Sequence, residues 1–420
     1  MANLARQVTL IFVSGLRGRA FALTLLCALT MIAMQSAPAQ TFTVLHDFTG
    51  GNDGAAPAAG LTMDAAGHLF GTTALGGLGH GTVFELKRGG GGWLFAPIYT
   101  FQGGNDGSNP ESRVIIGPNG SLYGVTVQGG GAPLCSGGCG TVYNLRPPAR
   151  ACNRSLCPWN ETVIYVFAGA NPSDALGGYG DLVFDGAGNA YGAGGGGLSD
   201  TGAVYELSPS GGGWTENVIY NFARSPNDGA YPLSGPILDN TGAFNGVTFD
   251  GGTYNGGIAY HLVRSGSQWM ETVTHNFVPT TDGRNPTGVL ADPSGNLYGG
   301  TTNEGPHGNG TVWELSPSGG SWMFSVLFDD QFLQCGINGP LSRDPAGNLY
   351  GATCNAVFKL SPSGGGWSYQ ELHRFTGGSG GDNPNGSLLI DAGGNIYGTT
   401  FYGGTGSCIQ GCGVVWEITP

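Results

Sequence analysis

Asn-Asp-Gly or a close variant recurs along the chain and sets Asp53, Asp106, Asp228, Asp282 and Asp382 in equivalent loops of five repeats. A ring of such carboxylates and amides could bind Ca²⁺, which takes several oxygen ligands, or accept hydrogen bonds from sugar hydroxyls. The simpler account is turn formation, because Asp and Asn tolerate unusual backbone angles and bond their own main chain. Recurrence in so many copies favours the turn, and no cofactor other than Ca²⁺ is indicated. Residues that occur once carry more information, since a catalytic centre breaks the symmetry of a repeat. His307 and Glu304 share one glycine-rich loop opposite Arg284 and form the best local acid/base candidate for a lyase or hydrolase, against the plainer reading of two solvated loop residues. His80, Glu111, Arg113 and Tyr179 are also singular. Neither a His-Glu-x-x-His helix nor a phosphate-binding P-loop occurs.

The charge balance excludes some partners. Fifteen Lys and Arg stand against 28 Asp and Glu, a formal charge of −13, so the Lys/Arg patches needed to hold nucleic acid or an anionic membrane are absent. Residues 1–39 have the pattern of an export signal: Arg6, Arg17 and Arg19, an apolar run from Ala20 to Ala33, and Ala37-Pro38-Ala39 as a small-x-small cleavage site. The run is short for a membrane span, and no later segment is apolar enough to form one. A periplasmic or extracellular location follows. The cysteines left after cleavage fall into close pairs, Cys135–Cys139, Cys152–Cys157, Cys335–Cys354 and Cys408–Cys412, which in an exported chain read as disulfides.

What positions these residues is a unit repeated seven times over residues 41–420. Gly makes up 82 of 420 residues without a collagen period, as expected of many short strands and tight turns. An aromatic anchor recurs at Phe48, Phe101, Phe167, Phe222, Phe277, Phe328 and Phe375, and a glycine marker at Gly71, Gly124, Gly192, Gly246, Gly299, Gly351 and Gly398. Both step by about fifty residues, the size of a four-stranded propeller blade. Alternation within each unit, as in Gly81-Thr-Val-Phe-Glu-Leu, predicts short strands. The first copy opens with Thr41 to Phe48, a strand that elsewhere follows the Gly-Gly-Gly-Trp turn, and the last copy stops just before it. The prediction is an all-β, seven-bladed propeller of four-stranded antiparallel blades, closed by the N-terminal strand, with the loops after each outermost strand gathered on one face. The Trp at 93, 214, 269, 322 and 367 are expected to pack at blade boundaries, and the insert Pro147 to Asn160 to offer a partner surface.

Phe-x-Gly-Gly-Asn-Asp-Gly, Gly-Asn-Leu-Tyr-Gly-Thr-Thr and Gly-Thr-Val-x-Glu-Leu-Ser-Pro, in order and in many copies, resemble the GloVer tandem-repeat, or "choice-of-anchor", exported bacterial proteins, with blades similar to the NHL type. The resemblance implies export and a repeat architecture and brings no activity with it. The sequence ends at Pro420 without the sorting anchor of those proteins, so release is expected rather than surface attachment. These readings together predict a monomeric, non-catalytic binding or scaffold module for glycan or protein, with an exported lyase or hydrolase as the alternative.

Overall fold

Each copy folds because its glycines and aromatics are placed as complements. At the seven glycine markers, an added Cβ would overlap the aromatic ring of the next strand: Phe84, Tyr143, Tyr205, Tyr260, Trp313, Phe358 or Trp416. The marker recurs because only glycine lets a ring lie flat across the strand. All seven rings are buried. The computed structural model describes residues 40–148, 158–169, 174–225, 227–329 and 335–420. Within it, Phe42–Thr419 form one unit.

Seven four-stranded antiparallel sheets follow in chain order, as the repeat predicts. Blade 1 shows the pattern: Thr62–Met63 innermost, then Leu69–Thr73, Thr82–Gly89 and Gly92–Thr100 outermost. The third strand shifts register beside its aromatic, at Val83/Phe84, and five other blades do the same at the equivalent place. Such a bulge increases the local twist. Blades 5 and 7 depart from the pattern, their innermost strands lengthening to Arg284–Ala291 and Asp382–Ile390.

Six of the seven anchors are buried; Phe328 is only partly so. The anchors pack in apolar clusters, several of which join neighbouring blades, such as the one holding Phe48, Leu61, Phe84, Tyr397 and Val415. Trp93 and Trp214 stand edge-on to Tyr397 and Tyr123 of the adjacent blade, the predicted boundary packing. Blade 7 is completed by Thr41–Asp47, which lies beside Val414–Thr419. Arg88 of blade 1 fastens the seam, donating to Tyr397 Oη and Glu417 Oε1 at 2.9 Å each.

Among the described residues three disulfides are present: Cys135–Cys139, Cys335–Cys354 and Cys408–Cys412. Cys152–Cys157, the centre of the insert and the signal segment lie outside the described residues. Among the described residues no helix is long and apolar enough to cross a membrane.

Candidate functional site

The innermost strands of all seven blades enclose a central cavity of about 840 Å³, within the range of small-ligand sites. Its wall is built in register. Counting back three residues from the apolar residue of each innermost strand, or two in blade 5 where the register shifts, gives one lining residue per blade. In blades 2 and 3 these are Glu111 and Tyr179; elsewhere they are Ala58, Leu233, Thr287, Asn338 and Asn385. Two residues further on, blades 2 and 3 carry Arg113 and Asp181, where blades 1 and 4 have Gly60 and Gly235. Adjacent blades therefore bring Glu111 beside Tyr179 and Arg113 beside Asp181.

The two pairs differ. Asp181 accepts from Arg113 Nε and from the Arg113 backbone N–H, both at 2.9 Å, so that carboxylate and guanidinium neutralise each other. Glu111 and the Tyr179 hydroxyl make no hydrogen bond or ion pair among the described residues. Burial pushes the Glu111 carboxyl above its ordinary pKa, with no cation offsetting it. Burial, and then the neighbouring Glu111, push the Tyr179 phenol up as well. The other polar groups of the ring are engaged locally: Asn338 Nδ2 donates to Asn383 Oδ1 and the Pro384 carbonyl, Thr287 Oγ1 to the Gly339 carbonyl, and Asn385 Oδ1 accepts from Gly386 N–H. Tyr179, 48% exposed, also borders a side groove of about 300 Å³ walled by the Cys135–Cys139 disulfide, Tyr231 and Leu233.

The residues singled out from sequence are distributed otherwise. Asp53, Asp106, Asp228, Asp282 and Asp382 lie outside the cavity wall. Four of them tie a loop to the strand before it. Asp53 accepts from Thr49 N–H and faces His46 Nε2 at 3.2 Å; Asp106 accepts from Gln102 N–H and Tyr99 Oη; Asp228 from Ala223 and Gly229 N–H. Asp282 accepts from Val278 N–H and Thr281 Oγ1 and faces His275 Nε2 at 2.9 Å. Asp382 accepts from Asn383 N–H. Among the described residues no three His, Cys, Asp or Glu converge as a metal site would require. The structure pairs His307 with Asp329 at 2.9 Å and Glu304 with Arg284 at 3.6 Å, and it does not bond the two to each other. Arg284 also reaches Asp250, which holds Arg224. A Gly-x-Ser-x-Gly match at 377–381 falls in an exposed 3-10 turn, and no histidine bonds Ser379.

Glu111, Arg113 and Tyr179 were recognisable as singular, but not as neighbours, because 68 residues separate Glu111 from Tyr179. Sequence reasoning missed Asp181. Stacking the seven copies and reading the column ahead of each innermost strand would have found it, as charge appears there only in blades 2 and 3.

A family model described as the Gloeobacter/Verrucomicrobia repeat matches residues 31–193 and 178–357. The chain belongs to this repeat family. Among solved structures, the fold of this chain is shared by the extracellular domains of two hybrid two component systems from B. thetaiotaomicron. One has 14% identity and a TM-score of 0.53 over 90% of this chain and 41% of that one; the other has 12% and 0.54 over 91% and 42%. The repeat chain thus spans less than half the length of either. A third similar structure is virginiamycin B lyase from Staphylococcus aureus, at 12% identity and a TM-score of 0.53 over 91% of this chain and 99% of that one. At these identities the likeness concerns the fold. No curated protein matches the chain.

Proposed function

We propose that this repeat protein is an exported, monomeric binding module that takes a glycan in the central cavity. One observation carries the reading: the sevenfold wall is broken at a single sector, where Glu111 and Tyr179 present an unengaged carboxyl and an exposed aromatic ring to a cavity of ligand size. A carboxylate accepts from sugar hydroxyls, an aromatic face packs against the C–H face of a pyranose, and the fixed Arg113 fork adds donors. The disulfides suit an oxidising compartment, which supports export.

Titration calorimetry with a panel of neutral, acidic and amino oligosaccharides tests this. A ligand from the panel is expected to bind, and Tyr179→Ala to weaken it about tenfold or more, the loss typical of a central aromatic anchor. Binding that is unaffected by Tyr179→Ala would place the ligand elsewhere.

A second reading, an exported lyase or hydrolase at the same place, draws on Glu111 alone: an unpaired carboxyl pushed up by burial is what a general acid requires. It predicts products from the bound glycan, read by chromatography, and their loss in Glu111→Gln. Unchanged glycan after long incubation excludes it.

A further inference from the structure

The charge inventory of the cavity narrows the ligand. Its lining contains three ionisable residues besides the Tyr179 phenol: Glu111, Arg113 and Asp181. Arg113 and Asp181 cancel through their ion pair, leaving the Glu111 carboxylate as one uncompensated negative charge in a partly desolvated site. Beside it stands Tyr179, whose ring face attracts cations through its quadrupole. A carboxylate next to an exposed aromatic face, with no competing base, is the arrangement that recognises an ammonium group.

Resting on the reading of the cavity as a glycan site, we propose that it selects amino sugars, the sugar ammonium lying between the Glu111 carboxylate and the Tyr179 ring. A neutral sugar supplies hydroxyl donors to Glu111 but leaves its charge unmatched, whereas an ammonium supplies both donors and opposite charge. N-acetylation removes that charge and adds bulk. Arg113 does not oppose the cation outright, since Asp181 holds it and neutralises it. Burial of Glu111 points the same way: its raised pKa marks an ionised form that lacks a partner, which a bound ammonium would provide.

The test uses three oligomers of one length and linkage, built from glucosamine, N-acetylglucosamine or glucose, titrated into the protein near neutral pH at low salt. The glucosamine oligomer is expected to bind about tenfold or more tightly than the other two, a margin that shrinks with added salt. Glu111→Gln should abolish the margin, the glucosamine oligomer losing at least about tenfold more affinity than the glucose oligomer, whose hydroxyls lose only a charged acceptor. Acidification offers a check on the unmutated protein. With Arg113, Asp181 and Tyr179 facing the same cavity and Arg113–Asp181 staying paired, the preference should fade as Glu111 takes up its proton. Equal affinity for the three oligomers, or preference for a neutral one, overturns the amino-sugar inference and leaves the glycan reading standing. Failure of all three to bind overturns the amino-sugar inference, and failure of the wider oligosaccharide panel as well overturns the glycan reading.

Discussion

Asp282 and Glu111 each carry a carboxyl close to the start of an innermost strand, one in a loop that recurs from blade to blade and one in the channel wall. Burial disfavours the charge of both. At Asp282, hydrogen bonds from His275, the Val278 N–H and Thr281 outweigh burial, and its pKa lies below the ordinary value. At Glu111 nothing opposes burial, and the pKa is raised. The first carboxylate is spent on holding the fold and the second is kept for something outside it. Repetition marked the first kind, whereas a break in repetition at matching positions of adjacent blades marked the second.

Substitution should separate them, with opposite signs. Asp282→Ala leaves the Val278 N–H and the His275 ring without their acceptor in a nearly buried loop, where the residue is 9% exposed. It is expected to cost about 1–3 kcal/mol, read by denaturant unfolding, without altering ligand affinity. Because the folded pKa of Asp282 is depressed, its contribution is fully present above the unfolded value of about 3.9 and is lost as pH falls through the lower folded one. An Asp282→Ala deficit that persisted undiminished under strong acid would contradict this.

Glu111→Gln should instead raise the melting temperature at neutral pH, because it removes an ionised group the fold does not compensate. The gain should vanish once pH falls below the unfolded carboxyl value of about 4.3, where both proteins are neutral at that position. A variant less stable than the parent would mean that Glu111 is structural after all. The smallest effect is expected at Asp382→Ala. That side chain accepts from the Asn383 N–H next to it, so the loss should stay below about 1 kcal/mol. A larger one would show that repeated loop carboxylates are not graded by their partners.

The architecture was open to sequence reasoning because it is written seven times. The spacing of Phe48, Phe101 and their successors set the blades, and the strand at Thr41 foretold closure before any contact was known. The candidate site resisted for the opposite reason. Glu304 and His307 share a loop opposite Arg284, and the structure does pair Glu304 with Arg284, while His307 takes Asp329, a partner the sequence did not suggest. Arg113 and Asp181 bond across 68 residues, a pairing that only the ring creates. Phe328 shows the same limit in the core, holding the anchor's place in the repeat without its full burial.

The seam at Arg88 also sets a clock. Among the described strands Thr41–Asp47 leaves the ribosome first, yet its partner Val414–Thr419 follows all the others, with six blades and the first two strands of blade 7 in between. At ordinary rates of about 5–20 residues per second, the strand waits roughly 20–75 s before the sheet it completes exists. Pairing over so long a loop is the slow, non-local kind. Until then the third strand of blade 7 has an open edge, so the interval between synthesis and ring closure is when this chain is most exposed to pairing with another copy of itself.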